Sequence, residues 1–115
     1  MSDETRVAIA EGFDGIRIIE RERNRQIDVE GWKKSRDAVL YPTGDLALAA
    51  ACYALPPAHR ERAYVDAAPL LWPWHPEWWK PTPNNRIKEL AKAGALVAAE
   101  IDRLLAIQRE DVVIG

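Results

Sequence analysis

One cysteine, Cys52, is all the thiol this 115-residue chain contains, so an internal disulfide is excluded. A small domain without disulfides fits a reducing compartment, and the expected location is the cytoplasm. Cys52 lies in an Ala-rich run where a small buried thiol suits a helix core. A nucleophilic role would need a nearby base that the sequence does not show. The two histidines, His59 and His75, stand apart from any Cys/His spacing that would hold zinc. An excess of charge is lacking as well. With 16 basic and 18 acidic residues the formal net charge is −2, which leaves no electrostatic footprint for duplex nucleic acid. No apolar run approaches the ~20 residues of a membrane span. The acidic start Met1-Ser2-Asp3-Glu4 does not read as a signal peptide. Phosphate-loop, dinucleotide, nucleophile-elbow and His-Glu-x-x-His patterns are all missing, and no metal or cofactor is expected.

What is there reads as helix. Hydrophobic residues make up 48% and charged residues 30%, a balance that favours a packed domain over disorder. A first helix starts at Asp14, with Ile16, Ile19, Arg23 and Ile27 at helical spacing and Gly31 as its stop. Its stretch Glu20–Gln26 is densely charged and reads as a solvated face. A second helix, 45–55, is apolar nearly all round and is expected to be the most buried element, capped by Thr43 or Asp45 and ended by Pro56-Pro57. A short helical turn with a charged face fits 58–66. Prolines at 69, 73, 76, 81 and 83 forbid a continuous helix or central strand there.

The last helix, 83–108, carries the clearest periodicity, with Thr82 as its cap and Pro83 at its first position. Ile87, Leu90, Gly94, Val97, Ile101, Leu104 and Gln108 run at steps of three and four, and alanines widen the stripe toward the Ala-rich second helix. Val112-Val113-Ile114 reads as a β-prone tail. The expected architecture is a compact all-α domain of three to four helices, closed at one end by a Trp/Pro-rich loop. Residues 1–13 form a flexible arm, 14–108 the single domain and 109–115 the tail. The small-residue faces point to a homo-oligomer.

The least ordinary stretch is Trp72-Pro73-Trp74-His75-Pro76-Glu77-Trp78-Trp79-Lys80-Pro81, with four of the five tryptophans in eight residues. Indole faces stack on bases and cations. Lys80 and Arg86, beside the start of a helix, suit phosphates. Two other readings stand beside this one: the tryptophans lid the core, or they form a hot spot for a protein partner. His75 suits either a ligand contact or a turn cap. The acids Glu22, Glu30, Asp45 and Glu100 would suit Mg²⁺ only if they converge. The paired spacing of the all-helical nucleotide pyrophosphohydrolases is not found cleanly, so solvated acids are the default.

Three blocks carry a resemblance. They are Glu22-Arg23-Asn24-Arg25-Gln26-Ile27-Asp28-Val29-Glu30-Gly31-Trp32, the run Gly44–Ala54, and the tryptophan stretch continuing to Lys92–Leu104. Together they resemble a family of short, uncharacterised phage and prophage proteins, over roughly residues 20–105. The resemblance implies a bacterial host cell as the setting and no particular chemistry. In that setting the residue types fit a protein that sequesters a host immune signalling nucleotide without catalysis. Trp74, Trp78 or Trp79 would stack on the base and Arg25, Lys80 and Arg86 would hold phosphates. Glu30 or Asp45 would accept hydrogen bonds, with Trp32 as a further ligand-binding residue. The alternatives are a Mg²⁺-dependent all-α nucleotide pyrophosphohydrolase and an inhibitor that binds a host protein through the tryptophan loop.

Overall fold

The computed structural model describes residues 12–30, 43–60, 64–65 and 68–114, and the side chains of 29, 30, 64, 65 and 110–114 lie outside that description. The N-terminal arm, up to residue 11, falls outside the described residues, as does the loop 31–42. Four helices are described: α1 (Asp14–Glu30), α2 (Asp45–Ala54), α3 (Pro57–Arg60) and α4 (Arg86–Ile114). The all-α expectation holds. A two-residue antiparallel pair, β1 (Tyr64–Val65) and β2 (Ala68–Pro69), joins Tyr64 to Pro69 and Val65 to Ala68. A 3-10 turn spans Pro76–Trp78. No helix of the described residues is long and apolar enough to cross a membrane.

Helix α4 is the axis on which the others pack. Its 29 residues span about 43 Å at 1.5 Å per residue. Leu46, Ala49, Ala50, Cys52 and Tyr53 of α2 cluster with Ala93, Leu96 and Ala99 of α4, joined by Ala68 and Trp79. The alanines allow close approach of the two helices, as the sequence indicates. Only one side of α2 is buried, however. Ala47, Leu48, Ala51 and Ala54 face outward, so this helix is a layer against α4 and not a surrounded centre.

The helix ends differ from their sequence reading. Gly44, at φ 85°, precedes α2 without any side-chain cap, while Thr43 donates to Asp45 Oδ1 at 3.1 Å. A glycine suits that left-handed position because a Cβ is disfavoured there. Helix α4 begins at Arg86, three residues after Pro83. Asn85 is its cap: its Oδ1 accepts from Lys88 N at 3.2 Å, and a tight turn sets Asn85 N on Thr82 O at 2.8 Å. At its other end α4 runs on through Ile114 with no β-like tail, because Val and Ile in sequence with good helix formers simply extend the last turns.

The largest departure concerns which side of α4 is inside. Ala91, Ala93, Ala95, Leu96 and Ala99 are buried. Ile87, Leu90, Val97, Ile101 and Leu104, the periodic stripe, are each 46–66% exposed. Gly94, in the middle of that stripe, has a close neighbour. A Cβ built there would lie 2.5 Å from Ile19 Cδ1, so α1 crosses α4 at the one position without a side chain. From that crossing Arg23 and Gln26, both buried, reach along α4, and Arg23 Nη2 meets Asp102 Oδ2 at 3.3 Å.

Candidate functional site

The tryptophan loop is built around Tyr53, on the last turn of α2. Trp79 lies on it with ring centroids 4.7 Å apart, and Trp72 meets it edge-on at 5.7 Å. Trp72 also packs edge-to-face on Trp74 at 5.3 Å and on Trp79 at 5.0 Å. Arg60 stands over the Trp79 ring at 5.0 Å, and Lys92 over Tyr53 at 5.3 Å. The faces of Trp79 are thus taken by the protein itself, and it is 7% exposed. Three of the four indoles form a lid across the helix ends, the arrangement that aromatic area and preferred edge-to-face geometry favour.

The fourth, Trp78, points out and is 63% exposed. Its backbone is held on both sides. His75 Nδ1 accepts from Glu77 N at 3.2 Å and so caps the 3-10 turn, one of the two roles its sequence position allowed. Trp78 N donates to His75 O at 3.0 Å and Trp79 N to Pro76 O at 3.1 Å. Trp72 Nε1 donates to His75 O at 3.1 Å, and Lys80 N donates to Tyr53 Oη at 3.2 Å. The side chain of Lys80 is exposed, and its carbonyl takes a bond from Lys92 Nζ at 3.0 Å.

Below the lid sits a charged cluster, of which the sequence reading put Arg60 on the charged face of the 58–66 turn and Arg86 toward phosphates. Glu89 is fully buried and Arg60 is 2% exposed. Glu89 Oε2 accepts from Arg60 Nη2 and from Thr82 N at 2.9 Å, and Oε1 accepts from Arg86 Nη1 at 3.0 Å. Burial pushes the Glu89 carboxyl up, but the donated bonds from Arg60, Arg86 and Thr82 outweigh it and hold the carboxyl below its ordinary value. Both arginines also close the C-terminus of α2. Arg86 donates to Tyr53 O at 2.8 Å and to Ala54 O, and Arg60 to Leu55 O at 3.2 Å. Cations at a helix C-terminus satisfy orphan carbonyls and complement the dipole. The structure therefore places Arg86, a candidate phosphate ligand in the sequence, on a helix end and a carboxylate.

The other candidates are dispersed. Arg25 is bidentate on Glu22, at 2.8 Å for each bond, and these bonds lower the Glu22 carboxyl although partial burial opposes them. Asp45 bonds Thr43 at the start of α2, and Glu100 pairs with Arg103 one turn along α4. Trp32 and the Glu30 side chain lie outside the described residues. No group of three or more His, Cys, Asp or Glu side chains among the described residues is placed to hold a metal ion.

A concavity lies between α1 and the start of α4. It is an open groove of about 440 Å³ lined by Ile18, Arg21, Glu22 and Arg25 from one side and Asn85, Ile87, Lys88 and Ala91 from the other. Three cations against one carboxylate make it electropositive.

Sequence reasoning missed Arg60, Glu89 and Tyr53. A signal was present for one of them: Glu89 lies four residues before Ala93 and seven before Leu96, on the face of α4 that α2 covers. No known protein family, curated protein or solved structure matches the chain.

Proposed function

We propose that this protein is a non-catalytic binding module that docks a protein partner through the tryptophan loop. The observation that carries this reading is Trp78, 63% exposed on a turn whose neighbours are anchored in the core. A rigidly presented indole offers large contact area while little freedom is lost on binding, and tryptophan dominates interface hot spots. Trp79 supplies the anchor and Trp78 the contact, with Glu77 and Lys80 as a polar rim. The matching surface on a partner is an apolar pocket the size of one indole. The resemblance to phage and prophage proteins makes a bacterial host protein the partner to seek. Affinity capture from host lysate with wild type and Trp78→Ala tests the reading. The expected result is one stoichiometric partner, lost with Trp78→Ala and kept with Lys88→Glu. Equal capture by wild type and Trp78→Ala overturns it.

A nucleotide-binding reading keeps one supporting observation, the groove between α1 and α4. Its volume, about 440 Å³, falls within the ~300–1,000 Å³ of small-ligand sites. Arg21, Arg25 and Lys88 would face phosphates there, and Ile18 and Ile87 a ring. Titration calorimetry with cyclic dinucleotides, on wild type and Arg25→Glu, decides it: heat with wild type alone supports this site, and no heat with either removes it.

A further inference from the structure

We infer that His75 is a pH-sensitive joint of the tryptophan loop, capping the turn under Trp78 when neutral and releasing it when protonated. The inference rests on the docking reading only for its consequence, since the switch itself involves no partner. Three bonds converge on this one residue. Its carbonyl accepts from Trp78 N at 3.0 Å and from Trp72 Nε1 at 3.1 Å, and its Nδ1 accepts from Glu77 N at 3.2 Å. The first bond closes the turn that presents Trp78, the second ties that turn to the lid, and the third caps its start. Accepting from a backbone N–H requires a bare Nδ1, so the single proton of the neutral ring sits on Nε2.

Protonation reverses this contact. An imidazolium donates from both nitrogens and has no lone pair left for Glu77 N. An acceptor for it is already in place, because Glu77 Oε1 lies 3.9 Å from His75 Nδ1. The charged ring therefore exchanges the Glu77 N–H for the Glu77 carboxylate, and the first backbone donor of the turn loses its partner. Both side chains are largely exposed, at 68% and 67%, so the ring has room for that move. The charges on the elements packed against the loop are engaged elsewhere. From α3, Arg60 stands over Trp79 and bonds Glu89. From α4, Lys92 stands over Tyr53 and bonds the Lys80 carbonyl, while Arg86 closes the end of α2. Among the described residues the charged partner of His75 is Glu77 alone. Histidine is the side chain that ordinarily changes charge between about pH 5 and 8. The turn is thus capped at the upper end of that range and uncapped at the lower. An indole on an uncapped turn loses more freedom when it enters a pocket, so docking through Trp78 weakens as pH falls.

Nuclear magnetic resonance of the full chain, titrated from about pH 8 to about pH 5, tests this without a partner. At the upper end, long-range proton–nitrogen spectra are expected to show His75 protonated on Nε2 alone. As pH falls, the Glu77 amide should exchange about fivefold faster relative to its intrinsic rate, the size of effect a lost side-chain cap produces. The heteronuclear NOE of the Trp78 amide should fall with it. The range stops above the ordinary titration of carboxylates. His75→Asn caps through an amide oxygen that does not titrate, and it should keep Glu77 exchange slow throughout. His75→Ala should show fast exchange at every pH. A neutral His75 with its proton on Nδ1 overturns the inference, as does a His75→Asn variant that reproduces the wild-type pH dependence. None of these readings involves Trp78→Ala or a captured protein, so a failure of the docking reading leaves them intact.

Discussion

At the scale of single residues, the most consequential is one that the sequence disguises. Glu89 is a fully buried carboxylate bonded by two arginines and a backbone N–H. Removing one partner of a buried ion pair leaves the other charge uncompensated. Glu89→Ala is therefore expected to lower unfolding free energy by about 3–5 kcal/mol, read from urea titration. The pH dependence follows from the lowered carboxyl. A group whose folded pKa lies below its unfolded value contributes stability that is present above the unfolded value and lost as pH falls through the folded one. Wild type should lose melting temperature below about pH 4.5, near the unfolded glutamate value, and Glu89→Gln should lose less over the same range. Gly94 is the second such residue, since any side chain there meets Ile19. Gly94→Val is expected to cost about 1–3 kcal/mol by overpacking. Combined with Ile19→Ala it should cost less than the sum of the two, because the two changes share one contact. Neither partner was legible in the sequence. A glutamate or arginine in a helix reads as solvated unless its partner is known, and Arg60 and Glu89 lie 29 positions apart.

At the scale of elements, the sequence places helices well and their ends poorly. Helices at 14–30 and 45–54 appear where periodicity and Pro56-Pro57 put them. The cap of α4 shifted from Thr82 to Asn85, because Thr82 N is drawn onto Glu89 and the preceding residues turn to follow it. That contact belongs to tertiary structure. The C-terminus of α2 is likewise closed from a distance, by Arg86 on Tyr53 O and Ala54 O. Arg86→Ala should lower stability by about 1.5–3 kcal/mol, the range for bonds to a charged group. It should also speed amide exchange in the last turn of α2, measured by native-state hydrogen exchange. Arg86→Lys should recover only part of the loss, because an ammonium cannot reproduce the fork that spans two carbonyls and a carboxylate.

At the scale of the whole molecule, a flat body of 47 × 40 × 22 Å leaves the apolar stripe of α4 and the Trp78 indole facing solvent. The sequence by itself determined the helical class, the positions of α1 and α2, the pairing of the Ala-rich helix with α4, and the concentration of aromatic rings in one loop. Each of these rests on local periodicity, proline placement or residue size, which act over a few turns of chain. Tertiary structure alone decided which face of α4 lies inside, which tryptophan points out, and which arginines are buried. On α4 both an alanine face and a large-aliphatic face were available. The close approach of α2 over Ala93, Leu96 and Ala99, with Arg60 and Glu89 bonded at its end, chose the alanines and left the larger residues outside.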